Sequence, residues 1–436
     1  MYILLHSVTI VTLNKENEIF QGYVVWKDGK FTDIVKGDPT SNELAKVPEI
    51  INGNGKWLMP GLINSHGHLG SSFLRGAGDD LPLMTWLETI MWPNERTFTE
   101  ETVIQAASLA MIEMIKTGTT TFLDMYHLAM DKIAELVLQS ELRAVLCRGM
   151  IGLAPEKEQE EKLEESVSLF HNYHGANNNK LTIALAPHAP YTCPPEFLQK
   201  VVKTAGRNNM WIHTHLSETR GEVERHVSQY GMRPVEHLQN LGLFQQHCLI
   251  AHGVHINEKE VQILAEERVS VSHNPMSNLK LGSGIAPVPM MEKTGVNVAL
   301  GTDSTASNNN LDLFEEMRFA SLIHKGVHED PTVTTSESIL KMATTNGAKA
   351  LQLDHVGCIE KGYFADFILI DPNVPHLHPW NEERIISHLV YSVKGSDVTD
   401  SFVQGKQLMK NREILTLDEE KILSDAINFL KTSQKG

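Results

Sequence analysis

The chain has 436 residues, enough to bury a large core, and fits one barrel-sized domain with a smaller partner better than three equal units. A formal net charge of −16 repels polyanions and argues against a nucleic-acid partner or an anionic membrane surface. Four scattered cysteines, Cys147, Cys193, Cys248 and Cys358, form no Cys-x-x-Cys pair, which excludes a disulfide framework or zinc ribbon and leads us to expect reduced thiols in a cytoplasmic protein.

Residues 1–59 carry short strand-like runs at Tyr2–Leu13, Gly22–Trp26 and Phe31–Val35, broken by Lys-Asp-Gly and Gly-Asn-Gly turns. The first run alternates like a strand and lacks a basic, apolar leader pattern, so no signal peptide is expected. Nor does any apolar run approach the roughly 20 residues of a membrane helix.

Beyond residue 59 the pattern changes. Apolar, β-branched runs recur at Gly61–Asn64, Thr119–Leu123, Ala144–Cys147, Leu181–Ala186, Met210–His213, Cys248–Ala251, Val269–Ser272 and Val296–Leu300. Helical patterns lie between them: one capped by Thr99 and ended by Gly118, then Met130–Ser140, Lys157–Phe170, Pro195–Ala205, Glu218–Tyr230, Glu258–Glu267, Leu311–Lys325 and Ser336–Ala350. Eight strand–helix repeats imply a parallel sheet closed into an α/β barrel, (β/α)8 and TIM-like. An open doubly wound sheet would show a Gly-rich phosphate fingerprint after its first strand, and none is present. From about residue 355 the β pattern returns, at Phe367–Ile370 and Val398–Val403, before a helical stretch from Asp418 to Lys431. We therefore expect residues 1–59 and 355–436 to form one small β-sandwich domain beside a catalytic barrel at 60–354.

The residues at the C-terminal ends of the eight runs are, in order, His66 with His68, Asp124, Arg148, His188, His215, His252, His273 and Asp303. That rim is where a barrel of this class builds its active site. In His66-Gly67-His68, i and i+2 point the same way on extended chain and can grip one ion. Three imidazoles (His66, His68, His215) and the carboxylate of Asp303 make a mixed N/O set that suits Zn2+ or Fe2+ better than Mg2+ or Ca2+.

The segments Pro60-Gly61-Leu62-Ile63-Asn64-Ser65-His66-Gly67-His68, His213-Thr214-His215-Leu216-Ser217-Glu218, Ala251-His252-Gly253, His273-Asn274-Pro275-Met276-Ser277-Asn278-Leu279-Lys280-Leu281 and Leu300-Gly301-Thr302-Asp303-Ser304 together resemble the strand-end motifs of the amidohydrolase superfamily. Within it they are most similar to the nucleobase, triazine and nucleoside aminohydrolases, specifically those acting on 5-methylthioadenosine and S-adenosylhomocysteine. The resemblance spans nearly the whole chain. It departs at Gly67, where the family often has Thr. Strand four ends Ala186-Pro187-His188 without the Lys of dinuclear members, which implies one divalent metal, Zn2+ first and Fe2+ second.

The resemblance implies metal ligands His66, His68, His215 and Asp303, and catalytic roles for Glu218, His252 and Asp303. Glu218 would protonate a ring nitrogen and carry a proton to the leaving amine, which needs a pKa raised by burial; alternatively it is an acid at a helix start. Substrate contacts carried over are Trp86, Glu95, Arg148, His188, Glu218 and Asp303. Glu95 would accept from two ribose hydroxyls. Trp86 can equally belong to an amphipathic helix with Leu83 and Leu87, and Arg148 to a structural ion pair. The small-molecule substrate is then a nucleoside, deaminated at the purine 6-position. Phe73-Leu74-Arg75-Gly76 suits a lid or an oligomer contact, so a homo-oligomer stays open.

Two rivals stand beside this reading: within the enzyme class, a triazine or free-nucleobase aminohydrolase or chlorohydrolase with the same ligands; in another class, a non-catalytic scaffold, which characteristically loses ligands. A cytidine-deaminase type of zinc site is excluded, because Cys193 is followed by Pro194 and Pro195 with no second Cys.

Overall fold

A computed structural model describes residues 2–433. Eight parallel strands follow one another around a barrel: β1 (Leu62–Asn64), β2 (Thr119–Tyr126), β3 (Arg143–Met150), β4 (Leu181–Pro187), β5 (Ile212–Leu216), β6 (Cys248–His252), β7 (Ser270–His273) and β8 (Asn297–Leu300). Each neighbour pairs with the next in sequence, as repeated right-handed strand–helix units require. The seam between β8 and β1 closes through Ser65 N–H to Leu300 O (2.9 Å) and Asp303 N–H to His66 O (3.0 Å). The strands are buried on both faces, which is why they read as continuous apolar runs rather than alternating ones.

Register fixes the rim. Ile212 pairs with Cys248, so His215 stands beside Ala251 and Leu216 beside His252. Tyr126 stands beside Arg148 across β2 and β3. The apolar run expected at Met210–His213 is a strand at Ile212–Leu216, so His215 lies inside β5 rather than beyond it. The helix expected over Ser336–Ala350 is two, Ser336–Met342 and Thr345–Ala350.

The terminal segments share one nine-stranded mixed sheet. Its centre is Trp57–Pro60, parallel to Tyr2–Val11 and antiparallel to Phe367–Ile370. Short strands at Glu49–Asn52, Lys406–Lys410 and Glu413–Ile414 extend it beyond the runs read from sequence. Trp26, on Ile19–Lys27, lies 6.0 Å from Phe402 on Val398–Val403. Those strands are four steps apart in the sheet, about 19 Å if it were flat at the usual strand spacing. The sheet therefore curls over its own core of Leu5, Ile10, Trp26, Phe31, Phe367 and Phe402. The final helix spans Glu419–Ser433. Among the described residues no helix is long and apolar enough to cross a membrane.

Sheet and barrel are tied by a buried ion pair. Arg143 at the start of β3 donates from Nε to Asp366 Oδ2 (2.7 Å), and both side chains are at most 2% exposed. Asp366 Oδ1 accepts from Gln404 N–H (2.7 Å), and its backbone carbonyl accepts from Gly61 N–H (3.1 Å), the residue that leads into β1. Asp366→Ala would strand a buried guanidinium; we expect a loss of about 3–5 kcal/mol in urea unfolding. A loss within the surface-mutation range would show that the pair is not the tie.

Candidate active site

At the C-terminal rim of the barrel, a cavity of about 740 Å³ opens to solvent. Its floor carries His68, His215, Glu218, His252 and Asp303; Trp86, Glu95, Arg148 and His188 stand around its walls. His66 lies just beneath, fully buried.

His66 and His68 follow β1 on extended chain pinned from both sides, by Met125 N–H to Gly67 O (2.9 Å) and by the parallel bridge of Gly67 with Asp303. Asp303 Oδ1 stands 3.4 Å from His66 Nε2 and 3.2 Å from His68 Nε2, and His68 Nε2 is 3.3 Å from His215 Nε2. His252 offers a further nitrogen close to those of His66 and His215. Asp303 and His252 both adopt left-handed backbone, at φ 62° and 74°. Such residues cost of order 1–3 kcal/mol and persist where their surroundings over-determine them.

Whether a metal fits can be read from the nitrogens themselves. A carbonyl oxygen only accepts, so His68 Nδ1 must donate to Met125 O (2.6 Å) and His215 Nδ1 to His188 O (2.7 Å). In its neutral form each ring thus turns a bare Nε2 inward; burial opposes charge on His68, but Asp303 and the Met125 carbonyl raise it to about 9, so an ion would displace its second proton. His66 Nε2 is buried without any hydrogen-bond partner. Donors 2.0–2.2 Å from one tetrahedral ion stand about 3.3–3.6 Å apart, close to the separations found here. The residues fit a divalent ion with nitrogen and oxygen ligands.

Electrostatics separates the two carboxylates. Burial pushes Asp303 up, but its contacts with His66 and His68 outweigh that and hold it well below the usual range. Its Oδ2 accepts from Ser277 Oγ (2.6 Å) and Ser307 Oγ (3.0 Å), leaving Oδ1 for the cluster. Glu218 is pushed well above its ordinary value by burial, and further by the charges of Asp303 and Glu222. Its Oε2 lies 3.7 Å from His252 Nε2. Glu218 does not start the following helix. Thr219 is the N-cap of Arg220–Tyr230, and Glu222 closes the capping box while accepting from Glu218 N–H (2.7 Å).

A scan against family models matches residues 57–408 to the Amidohydrolase family. This chain belongs to that family. Two similar relatives of this amidohydrolase are 5-methylthioadenosine/S-adenosylhomocysteine deaminases: one from Halalkalibacterium halodurans, 52% identical and covering 96% of each chain, and one from Shouchella clausii, 48% identical and covering both chains fully. Among solved structures, an adenosine deaminase from Xanthomonas campestris with bound zinc superposes at a TM-score of 0.93, with 31% identity over 100% of this chain and 99% of that one. The family depends on metal, in keeping with the donor cluster found here.

Nine of the expected site residues, His68, Trp86, Glu95, Arg148, His188, His215, Glu218, His252 and Asp303, line this cavity and His66 lies beneath it, whereas the rim residues Asp124 and His273 are buried outside its lining. Trp86 fulfils both readings of it: it packs with Leu74, Leu83 and Met91 and also edges the cavity. Arg148 lines the cavity too, but it is ion-paired with the exposed Glu165 (2.7 Å). His188 gives its ring to the wall and its carbonyl to His215. Sequence reasoning missed Tyr126, whose hydroxyl donates to Glu95 Oε1 (3.0 Å), and the hydroxyls of Ser277 and Ser307 behind Asp303. Tyr126 was within reach, because alternation along β2 puts it on the face of Asp124; the serines carry no spacing signal of their own.

Gly67 and Gly301 separate by space. A Cβ at Gly67 would meet nothing nearer than 3.5 Å, whereas one at Gly301 would come within 2.9 Å of His66 Cβ and 2.5 Å of Asn274 Oδ1. We expect Gly67→Ala to keep full metal content, and Gly301→Ala to lose about 1–3 kcal/mol of stability from overpacking against His66, read by thermal melting and elemental analysis.

Proposed function

We propose that this chain is a hydrolase acting on a C–N bond, deaminating the adenine ring of 5'-methylthioadenosine and S-adenosylhomocysteine, with adenosine as a further substrate, to the inosyl product and ammonia. One observation carries the chemistry: converging imidazole nitrogens and Asp303 Oδ1 stand beside a buried Glu218, pushed well above its ordinary value, at the floor of a nucleoside-sized cavity. The full-length relatives named above support the substrate choice. Residues 60–354 would do the catalytic work, with 1–59 and 355–436 as the supporting β-domain.

His66, His68, His215 and Asp303 would hold one divalent ion, Zn2+ before Fe2+. When bound, the ion supplies a Lewis acid that makes water a nucleophile near neutral pH. Asp303 takes the proton of the attacking water, and His252 orients that water from β6. Glu218 protonates ring N1 as the oxygen adds to C6. Now deprotonated, Glu218 takes the proton of the new C6 hydroxyl and hands it to the amino group, so the C6–N bond breaks, ammonia leaves and a C6 carbonyl remains; the water proton held by Asp303 passes back to Glu218 and restores both groups. Glu95, with Oε1 engaged by Tyr126, turns its other oxygen to the ribose hydroxyls. Trp86, Arg148 and His188 shape the remaining contacts with base and tail.

The triazine and free-base reading shares the ligands but leaves Glu95 without a task. An ammonia-release panel decides: we expect turnover of methylthioadenosine and adenosylhomocysteine, and turnover of free bases with inert nucleosides would reverse the assignment. Glu218→Gln should keep its metal while losing about 10²–10⁴-fold in kcat, the span of a general acid–base contribution. Asp303→Ala should lose metal and activity together. Glu95→Gln should raise KM for nucleosides more than for free adenine; equal changes would remove the ribose contact.

A further inference from the structure

His68 and His215 are each set by a backbone carbonyl, but His66 is not. Its Nδ1 meets the Nε2 of a second imidazole, His213, at 2.9 Å, and His213 Nδ1 lies 2.9 Å from Leu249 O. Both rings are completely buried. His213 and His215 sit two apart on β5, so they share a face of the strand: one ring reaches the cavity and the other lies under it.

The chain of contacts allows one proton arrangement. Leu249 O cannot donate, so His213 Nδ1 carries the hydrogen. Burial disfavours a charged ring, and His213 Nε2 is therefore a lone pair. His66 Nδ1 must donate to it, which empties His66 Nε2, the atom that faces Asp303 Oδ1 and has no partner in the fold. We propose that His213 is a positioning residue: a buried imidazole relay from the Leu249 carbonyl that fixes the tautomer and orientation of His66 so that its Nε2 is ready to bind the ion. It touches neither substrate nor the reacting atoms. This rests on reading the cluster as a divalent-ion site.

The test measures zinc affinity by chelator competition on metal-stripped protein, with folding checked by circular dichroism. Second-contact partners of this kind are worth about 10–100-fold in affinity, and His213→Leu should lose that much. His213→Gln places an amide oxygen where Nε2 stood and should stay near the wild type. Leucine and wild-type variants of equal affinity, or glutamine and leucine variants of equal weakness, would overturn the relay. Wild-type protein that takes up no zinc would overturn the ion reading instead. Independently of any metal, 15N-histidine spectra of the stripped wild type, with His66 assigned through His66→Asn, should show hydrogen on its Nδ1. Hydrogen on its Nε2 would overturn the relay even if the leucine variant fails to fold.

Discussion

A backbone carbonyl can accept a hydrogen bond and cannot give one, and the chemistry at this rim depends on that asymmetry. Met125 O, His188 O and Leu249 O come from three parts of the barrel wall, and each fixes the proton of one imidazole. Side chains could have done the same orienting, but a hydroxyl or amide can reverse its role when the ring does. Carbonyls set in a closed sheet cannot. The barrel thus contributes more than proximity: it settles which nitrogen of each ring keeps its hydrogen for the wall and which one faces the ion.

The same economy explains why two neighbouring carboxyl groups behave oppositely. Asp303 and Glu218 are both buried, and burial alone pushes both up. Asp303 sits against imidazoles and two serine hydroxyls, which favour its charge. Glu218 has the charges of Asp303 and Glu222 beside it, which add to its burial and outweigh the pull of His68 in raising it. An acid and a base held apart in this way are what a reaction needs when one group must give a proton while another takes one.

The barrel was legible because strands buried on both faces leave unbroken apolar runs, and the rim was legible because polar groups end each run. Boundaries slipped where a strand carries polar residues. The apolar run ends at His213, but the strand continues to Leu216 because Thr214, His215 and Leu216 keep their pairing with β6. Pairing of Trp57–Pro60 with Phe367–Ile370 links residues some three hundred apart, and nothing local in either run specifies it. The liganding histidines could be read by spacing. Which nitrogen each presents could not, because that depends on a carbonyl from another strand. The Tyr126–Glu95 contact was hidden for a similar reason: the two residues lie on different elements, and alternation gives a face without a partner.

Left-handed backbone at Asp303 and His252 brings these threads together. Asp303 lies beyond the end of β8, on left-handed rather than extended backbone. Turning at φ 62° lets Asp303 N–H bond His66 O while Oδ1 faces the His66 and His68 rings. The strain is of order a few kcal/mol for the pair, small beside the burial supplied by a barrel of this size. Strain of that kind relaxes wherever its surroundings yield. Here Asp303 is gripped through its backbone by β1, through Oδ2 by Ser277 and Ser307, and against a glycine at 301 that leaves His66 its room. The ligand geometry is therefore a property of the seam where the barrel closes, and a change that loosened the seam would disturb the site without touching a single donor atom.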